Sequence, residues 1–122
     1  DLIAQLRQHT RREVIPVPVG GALHLKTAVT RVAKDTLLIN REWVDASLFD
    51  GWKLIDVDPA EPMGANAMLI GDVVVYPLEF PRTLARLAGL DVRTVEAGEL
   101  AKAEGGVTCC ALLLAERRRP GG

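Results

Sequence analysis

The fold is decided by residues 23–40, which read LHLKTAVTRVAKDTLLIN. Residues 23–32 are rich in apolar and β-branched side chains, which predicts a strand that carries His24 on one of its faces. The polar pair Lys34-Asp35 predicts a hairpin turn. A second strand is predicted at residues 36–40, directly after this turn. The stretch therefore predicts an antiparallel pair of strands.

The same order of elements returns further along the chain. Residues 66–70 and 73–76 predict two strands joined by the tight turn Gly71-Asp72. Pro81 stands where the first turn of a helix begins, and residues 92–95 predict the next strand. Each unit takes up roughly 40 residues, and repeats that cannot bury a face alone stack or close into a ring. The pattern indicates an α/β fold with about two ββαβ modules.

The two ends of the chain add further elements. Apolar residues at helical spacing within residues 2–6 predict an opening helix. Residues 99–103 predict a short helix, and residues 107–114 predict a last strand. Because side chains alternate along a strand, this last strand would place Cys109 and Cys110 on opposite faces.

Composition and charge exclude several classes of partner. The chain has 122 residues, of which 48% are hydrophobic, so it must bury a core. A net charge of -1 gives no reason to expect nucleic acid or an anionic membrane as partner. Residues 1–12 lack the apolar core of a signal peptide. No apolar run approaches the roughly 20 residues of a membrane-spanning helix.

Cysteine and histidine are rare, with two of each. Cys109 and Cys110 are neighbours that could join only through a strained ring, so no disulfide is expected and free thiols favour a reducing cytoplasm. The spacing of a zinc finger is missing, and neither a metal nor a cofactor is expected. A cysteine with a histidine remote in sequence is a recognised nucleophile arrangement. Cys109 and His24 are therefore the candidate catalytic pair.

Five ordered motifs carry a resemblance to one family. They are Leu23-His24-Leu25-Lys26-Thr27, Leu38-Ile39-Asn40, Glu61-Pro62-Met63-Gly64-Ala65-Asn66-Ala67, Pro81-Arg82-Thr83 and Glu104-Gly105-Gly106-Val107-Thr108-Cys109. In sequence and in spacing these motifs resemble the C-terminal half of the dimethylargininases (dimethylarginine dimethylaminohydrolases), which belong to the guanidino-modifying enzymes of the pentein fold. The resemblance covers nearly the whole chain.

The resemblance implies a fold in which five ββαβ units close into a propeller around a central active site. This chain would supply a partial α/β propeller, about two modules plus a closing strand. Residues 1–122 would then be the C-terminal portion of a single pentein catalytic domain. The N-terminal half, which holds acidic and arginine residues of the family's active site, is absent from this chain. The implied partners are a small guanidino substrate and that half, in the same protein or as a second chain; a homo-oligomer is left open.

The resemblance also implies roles for three residues. A guanidinium is a poor electrophile, so its hydrolysis needs a strong nucleophile, best a thiolate, and a protonated leaving amine. Cys109 is the implied nucleophile, passing through a thiouronium intermediate, and His24 the implied general acid and base. Glu104 stands where the family usually has an aspartate that holds the substrate's cationic head group. Glu is one methylene longer, and a solvated carboxylate is the alternative.

Other readings stay open beside these. Cys110 is more often an inert core residue, and Asn66 is read as tying down a loop rather than contacting substrate. The leading function is hydrolysis of dimethylarginine to citrulline and an alkylamine. The alternatives are an arginine deiminase or amidinotransferase relative, and a noncatalytic pentein module. The presence of both His24 and Cys109 in their motifs argues against the last of these.

Overall fold

The computed structural model of the protein describes residues 1–102 and 105–114. Within them the chain alternates helices and short strands in an α/β arrangement. In chain order these are α1 (Leu2–Thr10), α2 (Leu25–Ala28), β1 (Val29–Ala33), β2 (Thr36–Ile39), a 3-10 helix (Ala46–Phe49), β3 (Lys53–Asp56), β4 (Met68–Ile70), β5 (Val73–Pro77), α3 (Pro81–Arg86), β6 (Asp91–Val95) and α4 (Gly98–Lys102). The two predicted hairpins and the helices after Asp1 and at Pro81 are confirmed.

The strands form two three-stranded sheets of identical construction. In the first, β1 and β2 are an antiparallel hairpin and β3 joins β2 in parallel. In the second, β4 and β5 are the hairpin and β6 joins β5 in parallel. A parallel neighbour needs a crossover connection, which the 3-10 helix supplies in the first unit and α3 in the second. The internal repeat predicted from the sequence is confirmed.

Strand β2 lies between two hydrophobic clusters. All of its residues are buried, so both of its faces are covered. Leu38 points into a cluster drawn from both units, which also contains Tyr76. Leu37 and Ile39 point the other way, into a cluster of the first unit. The core is therefore continuous from one unit to the other through this strand.

A single hydroxyl group joins the two sheets at the start of β4. Thr30 of β1 is buried, and its Oγ1 donates to the carbonyl of Ala65 and accepts from the amide of Ala67 at 3.1 Å. These contacts satisfy two backbone groups that precede β4 and so cannot bond within the strand. The segment between the two bonds, which is Asn66, is held from both sides.

The loop before β4 is also fixed from its other end. Buried Tyr76 donates its hydroxyl to the carbonyl of Gly64 at 2.5 Å, and burial raises the pKa of this tyrosine. A Cβ at Gly64 would lie 3.0 Å from that hydroxyl, so the close approach favours glycine. The carboxylate of Glu61 accepts from the amides of Arg82 and Thr83, the first turn of α3. Residues 61–67 are therefore packed against the second sheet and its helix.

The strand predicted at residues 23–32 is wrong in its first half. Residues Leu25–Ala28 form a helical turn, and β1 begins only at Val29. The partner strand sets this limit, because Ile39, the last residue of β2, pairs with Val29, and Asn40 then turns away and accepts the amide of Glu42 on its side chain. The last bond across the hairpin runs from the amide of Asn40 to the carbonyl of Ala28 at 2.8 Å, and before it the amide of Thr27 bonds locally, to the carbonyl of His24. The predicted strand face that would carry His24 therefore does not exist.

The last strand, predicted at residues 107–114, is also wrong. Residues 107–110 form a turn, in which the amide of Cys110 donates to the carbonyl of Gly106 at 3.0 Å. In the described part of the chain, no strand pairs with residues 105–114. Cys109 and Cys110 consequently do not alternate across a sheet, and both are exposed. The predicted core position of Cys110 is thus incorrect.

Candidate active site

The thiol of Cys109 has a defined hydrogen-bond partner. Residues 105–110, here called the cysteine loop, carry it to the surface, where both neighbouring thiols are free. The side-chain amide of Asn66 donates from Nδ2 to Sγ of Cys109 at 3.0 Å. An exposed thiol held by a donor is accessible to substrate and keeps a fixed direction.

Asn66 bonds the same loop a second time. Its Oδ1 accepts from the backbone amide of Thr108 at 2.9 Å, and the hydroxyl of Thr108 donates to the carbonyl of Ala67. A Cβ at Gly106 would lie 2.4 Å from Cγ of Asn66, so only glycine allows the loop to pack this closely. The loop tied down by this asparagine is therefore the one that bears the candidate nucleophile.

His24 lies at the other candidate position, exposed and directly before α2. Its backbone is extended, with φ -130° and ψ 146°, and its carbonyl accepts the amide of Thr27. Within residues 1–102 and 105–114, no hydrogen bond is made by its imidazole, and none links it to Cys109. The catalytic pairing of the two residues therefore stays a prediction.

A cavity nevertheless connects the two segments. Its lining includes Gly105 and Gly106 of the cysteine loop and Thr27, three residues after His24, but neither Cys109 nor His24 itself. Met63 and Thr27 line this cavity and also a second, more open one beside Leu23. The two cavities are therefore adjacent, with Thr27 and Met63 in the lining of both.

Glu79 gives this cavity its charge. Among the described lining residues it is the ionisable one, and it stands with Phe80 between β5 and α3. Its Oε1 accepts from the amide of Ala97 at 2.8 Å, which fixes the carboxylate. A carboxylate among otherwise uncharged lining residues attracts a cation such as a guanidinium. Sequence reasoning missed Glu79, because a loop glutamate carries no motif.

Two further expectations concern Glu104 and a metal. Glu104 lies outside the described residues. Across the part of the chain that is described, no group of three His, Cys, Asp or Glu side chains could hold a metal ion. None of the helices described there is both long and apolar enough to span a bilayer.

Two curated proteins are similar to this chain, whereas no family model matches it. The dimethylarginine dimethylaminohydrolase of Pseudomonas aeruginosa is 31% identical over 113 residues, which are 91% of this chain and 44% of that protein. The enzyme of the same name from Streptomyces coelicolor is 35% identical over 107 residues, 84% of this chain and 40% of its own length. This chain resembles dimethylargininase. It spans less than half the length of the curated relatives that it matches.

Solved structures agree with this resemblance to dimethylargininase. A cysteine-to-serine variant of the Pseudomonas aeruginosa enzyme, complexed with citrulline, superposes with a TM-score of 0.77 at 30% identity, covering 88% of this chain and 43% of that one. An amidinotransferase of Microseira wollei superposes with a TM-score of 0.75 at 22% identity, over 98% of this chain and 41% of its own. The latter likeness concerns the fold alone. The predicted partial pentein fold is confirmed.

Proposed function

We propose that this chain is the C-terminal portion of the catalytic domain of a dimethylargininase, which hydrolyses dimethylarginine to citrulline and an alkylamine. The observation that carries the proposal is the thiol of Cys109, which is exposed and held by Asn66, a residue that lines one cavity together with Thr27 of the segment after His24. The similarity to two curated dimethylargininases supports the choice of substrate.

The reaction proceeds in two halves at the central carbon of the guanidinium. The thiolate of Cys109 attacks this carbon and forms the carbon–sulfur bond, and His24 donates a proton to the departing alkylamine as its carbon–nitrogen bond breaks. The product of this half is a thiouronium on Cys109. Water then attacks the same carbon and His24 takes one of its protons; the carbon–sulfur bond breaks to release citrulline and the thiolate, and the remaining proton passes to solvent.

The cavity supplies part of the recognition of a cation. Glu79 presents a carboxylate to it, and the remaining lining is apolar or uncharged, so a guanidinium gains attraction without a competing positive charge. Glu104 is the second carboxylate for the substrate's head group, by resemblance. The cysteine loop meets the cavity with two glycines, which leaves backbone rather than side chains at the wall.

The active site is proposed to need an N-terminal half, in the same polypeptide or as a second chain. Relatives more than twice as long support this, since the chain covers 44% and 40% of them. That half closes the ring of ββαβ units and adds acidic and arginine groups that clamp the substrate. We place the enzyme in the cytoplasm, where a reducing environment keeps the two free thiols reduced.

The decisive experiment compares the two adjacent cysteines in the assembled enzyme. Cys109→Ser should abolish citrulline formation from dimethylarginine and labelling by 2-chloroacetamidine, because a hydroxyl is a far weaker nucleophile than a thiolate. Cys110→Ser is the matched control and should leave both largely intact. Undiminished turnover by the Cys109 variant would refute the proposal. Transfer of the amidino group to an added amine, with no citrulline released, would instead assign an amidinotransferase.

A further inference from the structure

We infer that Asn66 is a positioning residue for the nucleophile, one that aims Sγ of Cys109 and stabilises its anionic form. The inference rests on the proposed function, in which Cys109 attacks as a thiolate. Asn66 has no role in that mechanism so far. Its side chain is nonetheless the group that the structure places against Sγ, at 3.0 Å.

The direction of the amide is determined by its other partner. The backbone N–H of Thr108 can only donate, so the atom that faces it at 2.9 Å must be the oxygen of Asn66. The nitrogen is thereby turned towards Cys109, and it can only donate. Hydrogen bonds to ionised acceptors are roughly twice as strong as neutral ones, so this donor favours a sulfur anion over a thiol.

The amide is held rigidly enough to act in this way. Asn66 is 4% exposed, and Thr30 bonds the backbone of the residues on either side of it. Gly106 packs against its amide face, where a Cβ would come within 2.4 Å. The amide is thus fixed by the bonds to its flanking backbone, by the packing of Gly106 and by the bond that its own oxygen accepts from Thr108. The N–H donor therefore keeps its direction when the substrate enters.

Contact with the substrate is the competing role, because Asn66 also lines the cavity beside the cysteine loop. A small neutral electrophile separates the two roles. Iodoacetamide carries neither the guanidinium nor the amino-acid head group, so its reaction with Cys109 reports on the sulfur alone. Steady-state kinetics with dimethylarginine give the complementary reading, since a positioning residue lowers kcat and a substrate contact raises KM.

The test uses Asn66→Asp in the assembled enzyme with Cys110→Ser as background, so that labelling reports on Cys109. Aspartate has the same shape and keeps an oxygen for the amide of Thr108, but it replaces the donor to Sγ with an acceptor. Asn40→Asp is the matched control. Asn40 is 3% exposed, and its amide likewise accepts a backbone N–H, from Glu42, and donates to a backbone carbonyl, that of Pro62.

Asn66→Asp should label with iodoacetamide about 10- to 100-fold more slowly, the range expected when a hydrogen bond to a charged group is lost. The pH profile of labelling should move to higher pH, and kcat should fall with KM little changed. Asn40→Asp should lose similar thermal stability yet label at the parent rate. If Asn66→Asp fails to fold, Asn66→Ser, which is neutral and too short to reach Sγ, carries the same expectation.

Labelling of the Asn66 variants at the parent rate would overturn the inference, as would a rise in KM alone. The proposed function fails by a different result, namely citrulline formation by Cys109→Ser. In that case the iodoacetamide measurement still decides whether Asn66 controls the reactivity of this thiol. The two failures are therefore distinguishable.

Discussion

The two repeated units share a strand order but differ in the segment that precedes each sheet. The first pre-strand segment, residues 21–28, is mostly exposed and contains His24, with Leu23 77% exposed. The second, residues 61–67, holds Asn66 in its buried half, where Ala65 is 0% exposed. The first pre-strand segment thus carries an open histidine five residues before its strand, and the second carries an enclosed asparagine two residues before its strand.

The difference separates two physical requirements. A group that exchanges protons with a leaving amine and with water must be reached by solvent, which the first pre-strand segment permits for His24. A group that fixes the direction of another side chain must itself be immobile, which the second segment achieves by burying Asn66 and bonding it on both sides. Repetition of one unit has therefore provided two surroundings for two kinds of side chain.

The strongest challenge to this comparison is His24→Ala. We expect activity to fall by about 10²–10⁴-fold, the usual contribution of a general acid or base, while the melting temperature stays near that of the parent because the side chain is exposed. The chain has one other histidine, so His9→Ala on the exposed face of α1 is the matched control and should change neither quantity. Unfolding of the His24 variant, with normal specific activity of its folded fraction, would show a structural histidine instead.

Thr30→Val tests whether the second segment depends on the first sheet. Valine has the same shape but leaves the carbonyl of Ala65 and the amide of Ala67 without their partner, which should lower the free energy of unfolding by about 1–3 kcal/mol. Thr30→Ser should retain most of this stability. Thr36→Val is the control: Thr36 is equally buried, but its hydroxyl bonds only the side chain of Asp35. Equal losses in denaturant unfolding of the two valine variants would contradict the proposed link.

Glu61→Ala should lower stability by a smaller amount. It removes the carboxylate that caps the N-terminus of α3 from a distant part of the chain. Phe80, the residue at the cap position, makes no side-chain bond there, whereas Glu61 accepts from two amides of the first turn. Loss of such a cap costs about 1 kcal/mol of unfolding free energy. Glu61→Gln should lose less, and Glu13→Ala, at an exposed site, serves as the control. An unchanged denaturation midpoint in Glu61→Ala would show that Glu61 does not stabilise α3 as a cap.

The smallest expected effect concerns the turn of the first hairpin. Lys53 donates to Asp35 at 3.0 Å, and this bond, with that from Thr36, holds the pKa of Asp35 below its ordinary value of 3.8. The pKa of Asp35 is lower in the folded than in the unfolded chain. The stabilisation of the fold by ionised Asp35 is therefore present above pH 3.8 and disappears as the pH falls through the folded-state pKa. Lys53→Met should raise the pKa of Asp35 in an NMR titration, and Lys34→Met should not. A titration unaltered by Lys53→Met would contradict the assignment.

Local patterns were sufficient for the hairpins, and long-range contacts explain the errors. Gly71 and the apolar runs on either side of it specify a turn and two strands by themselves. The limit of β1 was not readable from residues 23–28, because it is set by where β2 ends across the sheet. The turn at residues 107–110 is held by a bond from the amide of Thr108 to the side-chain oxygen of Asn66, which no pattern within that segment reveals.

The candidate site divides in the same way. The motifs indicated Cys109, His24 and Asn66. The catalytic roles of Cys109 and His24 remain predictions. The pairing of Asn66 with Sγ could not be read from the sequence, because it joins residues in different elements. Glu79 was missed for the same reason, since only the folded chain brings its carboxylate to the cavity that the cysteine loop also lines.

The hydroxyl of Thr30 has a consequence for how this chain tolerates mutation. It belongs to β1 in the first sheet, but the two groups it bonds flank the asparagine that holds the cysteine loop. Selection for a stable fold and selection for turnover therefore act on the same atom. A library randomised at Thr30 should return threonine and serine whether it is selected for stability or for turnover. No substitution at this position should therefore raise one of these properties at the expense of the other.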